Sequence, residues 1–135
     1  MPITYHRSMN LATGLIRASA LLFAAIGLGY LVAPAVMLSI VGINASPTTD
    51  FLMRTEGVAL LTGAGFLVAV GTGGSRQMRL VLFSLAAYYI VGSLVDLAAF
   101  NSNVVGPASA PSAAIRIAVG VLCAVAAWRA ARPTA

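Results

Sequence analysis

Four apolar blocks dominate the sequence between Leu11 and Trp128, and each is long enough to cross a lipid bilayer. At a helical rise of about 1.5 Å per residue, roughly 20 apolar residues match a hydrocarbon core about 30 Å thick. Only a helix or a closed barrel satisfies its backbone hydrogen bonds in that setting. The blocks cover about residues 12–33, 51–70, 78–100 and 113–128, separated by segments rich in Gly, Pro, Ser and Asn. That is the hydropathy pattern of repeated spans. It predicts an all-α fold: one domain of four transmembrane helices in an up-down bundle. Composition excludes a soluble alternative, since 60% of the 135 residues are hydrophobic and 8% charged, against about 25% charged in soluble domains. A soluble chain this short has no interior large enough to hide so much apolar surface.

The formal net charge is +5, from eight arginines and no lysine against Asp50, Glu56 and Asp96. The arginines stand at the ends of apolar blocks and form no basic stripe, so nucleic acid is not the partner. Arg7, Arg76, Arg79, Arg129 and Arg132 fall on one side of the predicted bundle, while the connections 44–50 and 101–112 carry none. By the positive-inside rule both termini are cytoplasmic, and Trp128 lies at the cytoplasmic interface. The Ala, Gly and Arg bias without lysine is that of a GC-rich bacterial genome, which places the chain as a multi-pass protein of a bacterial cytoplasmic (inner) membrane. Its first partner is the lipid bilayer.

Along the chain, Pro34 predicts a stop or kink near Ala33, because proline disfavours helix at the residue before it. The short run Val36 to Ile43 either prolongs that helix past a kink or lies in the interface. Met1 to Ala35 can also be read as a signal peptide with Ala33-Pro34-Ala35 as cleavage site; its apolar core exceeds the roughly 7–15 residues of such segments, so a retained span is the reading adopted. Asn44 to Asp50 and Asn101 to Ser112 read as loops, and Gly71-Thr72-Gly73-Gly74-Ser75 as a tight reversal. Asn44-Ala45-Ser46 matches a glycosylation acceptor, which the following Pro47 and the bacterial composition make accidental. The matching 37-residue intervals from Arg17 to Arg54 and from Arg79 to Arg116 have little company and do not establish a duplication.

Candidate chemistry concentrates in the predicted outer leaflet. The second block carries Arg54 and Glu56 near its start, the third Asp96 near its end and the fourth Arg116 near its start. Ionisable groups at membrane depth cost about 2.5–3.5 kcal/mol each on insertion scales, so each wants a partner, water or a task. Arg54 and Glu56 are two residues apart and point to opposite sides of a helix, so they cannot pair with each other. We expect Glu56 to meet Arg116 and Asp96 to meet Arg54. Tyr89, Ser93 and Asp96 share one helix face, with Gly92 beside them admitting a neighbouring backbone. Glu56, Ala59 and Gly63 form a second narrow strip, and both strips are expected to face the bundle interior. The six residues Arg54, Glu56, Asp96, Arg116, Tyr89 and Ser93 are the candidate ligand-binding or structural charge cluster. Arg17 reaches for cytoplasmic headgroups, and Tyr88-Tyr89 reads as a packed aromatic pair. Small-residue pairs at four-residue spacing, Ala25 with Gly29, Ala59 with Gly63, Ala114 with Ala118 and Gly120 with Ala124, suit close helix contact in lipid.

No Ser-His-Asp set, phosphate-cradling loop or His or Cys ligand pair is present. Cys123 is the only cysteine and His6 the only histidine, so no intrachain disulfide and no cysteine or histidine metal site is expected. No catalytic residue, metal or cofactor is predicted.

Three segments carry a resemblance: GLGYLVAP closing the first span, RTEGVALLTGAG opening the second, and GSLVDL near the end of the third. With them the chain resembles the DoxX-like group of small bacterial four-helix membrane proteins. Some members of the wider group are similar to quinone-linked oxidoreductase subunits, so the resemblance implies a quinone as a candidate partner; it brings no catalytic motif to transfer. The sequence therefore points to an accessory or scaffold subunit packing with itself, as a homo-oligomer, or with a larger membrane complex. The alternatives are a binder or transporter of a small hydrophobic or ionic ligand at the outer-leaflet cluster, or a quinone-linked redox subunit.

Overall fold

The computed structural model describes residues 3–71, 73–107 and 109–130, with side chains from Asn10 onward except that of Ser75. Five helices follow one another: α1 (Ile3–Val32), α2 (Pro34–Ile40), α3 (Pro47–Val70), α4 (Ser75–Asn101) and α5 (Ser109–Arg129). No strand occurs among the described residues. Four of the helices are long and apolar enough to cross a membrane, over Asn10–Val32, Pro47–Val70, Arg76–Asn101 and Ser109–Arg129. The chain is an all-α, multi-pass membrane protein with a four-helix bundle as its body. The expectations attached to His6, Arg7 and Arg132 concern side chains outside the described set.

The expected boundaries move at three places, each for a local reason. Residues 44–50 are not all loop, because α3 begins at Pro47. Ser46 caps it, its Oγ accepting from the Thr49 N–H while the Thr49 hydroxyl accepts from the Ser46 N–H. Proline at the first helical position lacks only an N–H that has no intrahelical partner there anyway. The segment 101–112 likewise gives up its end to α5, whose first turn contains Pro111 and Ser112. At the N-terminus α1 starts at Ile3, well before the apolar block. Past Pro34 the chain does continue as a helix after a kink, the short α2.

Packing is strongly pairwise. α1 lies against α3 and α4 against α5, while contacts from one pair to the other are far sparser. Both pairs are antiparallel. In the first, the backbones cross at Gly27 and Gly57, where a Cβ added to Gly57 would stand 2.8 Å from the Gly27 carbonyl oxygen. Only residues without a side chain allow that approach in lipid. In the second, Gly120 sits against the Ala86 carbonyl, at 3.2 Å from an added Cβ.

The core that joins the pairs sits in the half of the bundle containing the Gly71–Gly74 connection. Ala12, Ile16 and Phe23 of α1, Leu67 of α3, Leu82 and Leu85 of α4 and Cys123 and Ala127 of α5 are all buried there. At the opposite end the pairs touch through their loops. The Gly106 N–H donates to the Val41 carbonyl at 2.8 Å, beside Gly42, which takes φ +77° as α2 ends. Elsewhere the helices show their apolar residues outward: Leu21 is 74% exposed, Val32 79%, Phe51 68% and Phe66 60%. In water such a surface aggregates; against lipid chains it is the surface a spanning bundle needs.

Candidate charge cluster at the α2–α3 and α4–α5 loop end of the bundle

All four spanning helices send polar or charged side chains to one level of the bundle. Counting at about 1.5 Å per residue, Asp96 lies about 7 Å before the end of α4 at Asn101, Arg116 about 10 Å after the start of α5 at Ser109, and Glu56 about 13 Å after the start of α3 at Pro47. These depths are inside the spans, where a charge has little water to lean on.

Asp96 and Arg116 form an ion pair, Nη1 donating to Oδ2. The pair is only partly sheltered, with side chains 34% and 28% exposed. Arg116 also lies over the Tyr88 ring, its Cζ 5.9 Å from the centroid, and the other side of the guanidinium rests on Gly92, where any Cβ would collide with Nη2. The glycine thus makes room for a guanidinium, not for the neighbouring backbone expected from the sequence.

The expected pairings are corrected. Asp96 does not meet Arg54, and Glu56 does not meet Arg116 in an ion pair. The reason is the pairwise packing: α4 and α5 are intimate antiparallel neighbours, so Asp96 and Arg116 stand opposite each other, whereas α3 scarcely touches α4. Arg54 turns toward α1 instead, and its Nη1 donates to the Leu31 carbonyl at 2.8 Å. That carbonyl belongs to the last turn of α1, where the kink at Pro34 leaves acceptors without backbone partners. Arg54 is a cap for a broken helix.

Glu56 is exposed and, among the described residues, takes part in no hydrogen bond or ion pair. It nevertheless lies within electrostatic reach of Tyr30 on α1 and Tyr88 on α4, which also feel Arg116. Its strip is not packed interior as expected. Gly63 is half-buried, an added Cβ lying 3.4 Å from Phe23, but Ala59 and Glu56 are exposed. The interior face of α3 is Gly57, Leu60, Ala64 and Leu67, one residue further on.

The strip on α4 behaves more nearly as expected. Tyr89 and Ser93 are buried and Asp96 is partly exposed. The Tyr89 hydroxyl hydrogen-bonds to Ser19 Oγ at 3.0 Å, linking the two helix pairs, and the Ser93 hydroxyl donates back to the Tyr89 carbonyl at 2.7 Å. Tyr88 and Tyr89 are indeed packed, 5.6 Å apart, and Phe23 joins them at 4.9 Å from Tyr88. Sequence reasoning missed Tyr30, Phe23 and Ser19. All three are on α1, whose long apolar run gives no phase that would single out one face. No group of His, Cys, Asp and Glu side chains among the described residues is arranged to hold a metal ion.

Comparisons of the chain with protein-family models, with curated proteins and with solved structures return no match.

Proposed function

We propose that this is a small non-catalytic membrane protein, an accessory or scaffold subunit that packs with itself or with a larger complex in a bacterial inner membrane, both termini in the cytoplasm. One observation carries the reading: the intramembrane charges hold helices together. Asp96 and Arg116 tie α4 to α5, and Arg54 closes the end of α1. Extensive apolar helix faces remain outward for lipid or for partner helices. The resemblance to DoxX-like proteins and the one-sided distribution of arginine support the cellular placement. The test is native mass spectrometry from nanodiscs of protein purified from its own host. Larger subunits retained at fixed stoichiometry, or a defined homo-oligomer, are the expected result; a bare monomer under every mild condition would count against it.

A second reading, a binder or transporter of a small hydrophobic or ionic ligand at the outer-leaflet cluster, is favoured by Glu56. Among the described residues that carboxylate makes no hydrogen bond or ion pair, so no such contact accounts for its place in the chain. The quinone-linked redox reading rests on the family resemblance alone.

A further inference from the structure

α3 is the span that its own fold covers least, and it is also the least apolar of the four. A helix left facing lipid should be the reverse, because hydrocarbon is where polar and charged groups cost most. Its outward face runs through Thr55, Ala59, Thr62 and Phe66, all exposed and at the three- and four-residue spacing of one helix side. The opposite side is the buried one, with Gly57, Leu60, Ala64 and Leu67.

Two opposite charges flank the outward face. At about 100° per residue, Arg54 and Glu56 stand about 100° to either side of Thr55, and both are exposed. Counted at about 1.5 Å per residue, they lie about 10 Å and about 13 Å from the start of α3. Neither has a counter-ion among the described residues. Glu56 makes no hydrogen bond or ion pair, and Arg54 has only the neutral Leu31 carbonyl, taken by Nη1. Asp96 and Arg116 are already paired with each other. Within one chain Arg54 and Glu56 cannot meet, because they point away from each other around the helix. A second copy removes that obstacle. Copies of one chain share their topology in the membrane, so a two-fold axis between them runs along the membrane normal and brings equal depths together. With α3 against α3 through the face centred on Thr55, the Glu56 flank of each helix lies on the same side as the Arg54 flank of the other. Opposite charges then face each other twice, about 3 Å apart in depth.

We propose that the protein is a two-fold dimer through the outward face of α3, with Glu56 of each copy paired to Arg54 of the other. A carboxylate is a stronger acceptor than a neutral carbonyl, so the exposed guanidinium turns to it from Leu31. Thr55 and Thr62 do not stand in the way: their hydroxyls are satisfied within α3, by the Phe51 and Val58 carbonyls. Ala59 between them lets the helices approach. The occupant is a second copy because the face is self-complementary, its cation and anion exchanging places under the two-fold rotation. The inference rests on the self-packing reading above and gives it an interface.

The test reconstitutes full-length protein, carrying a donor or an acceptor fluorophore at its C-terminus, in zwitterionic liposomes and follows energy transfer as the protein-to-lipid ratio is lowered. Glu56→Arg or Arg54→Glu alone sets like charges against each other on both sides of the axis and should weaken association about ten-fold or more. The two variants mixed re-form both opposite-charge contacts and should associate as tightly as the wild type. Thr62→Cys should cross-link between copies on oxidation, and Val91→Cys, on the exposed side of α4, should not; buried Cys123 gives no background. Glu56→Arg breaks no hydrogen bond or ion pair of the described fold and should keep the wild-type melting temperature. Arg54→Glu also loses the Leu31 bond, so the mixture is read only where both variants melt cooperatively; Glu56→Arg and the Thr62 cross-link decide without it. Association indifferent to Glu56→Arg, or an associated protein without the Thr62 cross-link, overturns this interface while leaving the self-packing reading intact. Wild-type protein that stays monomeric at every ratio overturns the dimer and self-packing together, and leaves the larger-complex reading to the host-purified protein.

Discussion

Asp96 and Arg116 show how a membrane interior converts two costly residues into one joint. Each alone would be a charge at depth; together, 20 residues apart in sequence, they lock the end of α4 to the start of α5. Removing one partner leaves the other uncompensated, which for fully buried pairs costs about 3–5 kcal/mol. Here both side chains are about a third exposed, so Asp96→Ala or Arg116→Ala should each cost a smaller amount, roughly 1–3 kcal/mol. The double variant Asp96→Leu with Arg116→Met should cost less than the two single losses added, by at least about 1 kcal/mol in an unfolding double-mutant cycle. Strict additivity would show that the two side chains do not cooperate. Arg54 makes the contrasting case. Its charge was visible in the sequence, yet its partner is a main-chain carbonyl, which no pattern of side chains announces.

The elements are organised by close backbone approach. α1 and α3 cross where Gly27 meets Gly57, and the crossing holds only while both lack a Cβ. Gly57→Ala should therefore destabilise the protein, by roughly 1–3 kcal/mol as for other overpacked sites. Gly65 lies on the same helix with open space around it. Gly65→Ala should be neutral or stabilising by up to about 1 kcal/mol, since alanine is the better helix former. Thermal unfolding in nanodiscs compares the two, and a shift of the same sign for both would contradict the proposed crossing. The small-residue pairs named from the sequence predicted this kind of contact but not its place: Ala25, Ala59, Ala114 and Ala118 are exposed. Four-residue spacing is frequent in an alanine-rich chain, and it does not say which face meets which helix.

The molecule as a whole is two helix pairs joined firmly in one half, by the core around Ile16, Leu82 and Cys123, and lightly at the other end, by the loop contact from Gly106 to Val41. The orientation proposed for it is open to a direct check. A single cysteine at Asn44 or at Asn101 should react with a membrane-impermeant maleimide added to intact cells, and one at Gly74 only after the membrane is opened. Native Cys123 is fully buried and should contribute no background. Reaction of Gly74→Cys in intact cells would reverse the assigned topology.

The sequence by itself determined the class, the number of spans and the residues at which function had to be sought, because lipid demands long uninterrupted apolar helices and penalises every charge inside them. It also placed Arg54, Glu56, Asp96 and Arg116 at one end, since helical rise converts position along a span into depth. Tertiary structure decided who meets whom. Each span is apolar nearly all round, so hydropathy carries no phase, and rotation about the helix axis is settled only by packing. That rotation pairs Asp96 with Arg116, sends Arg54 to Leu31, and leaves Glu56 exposed, without a hydrogen bond or ion pair among the described residues.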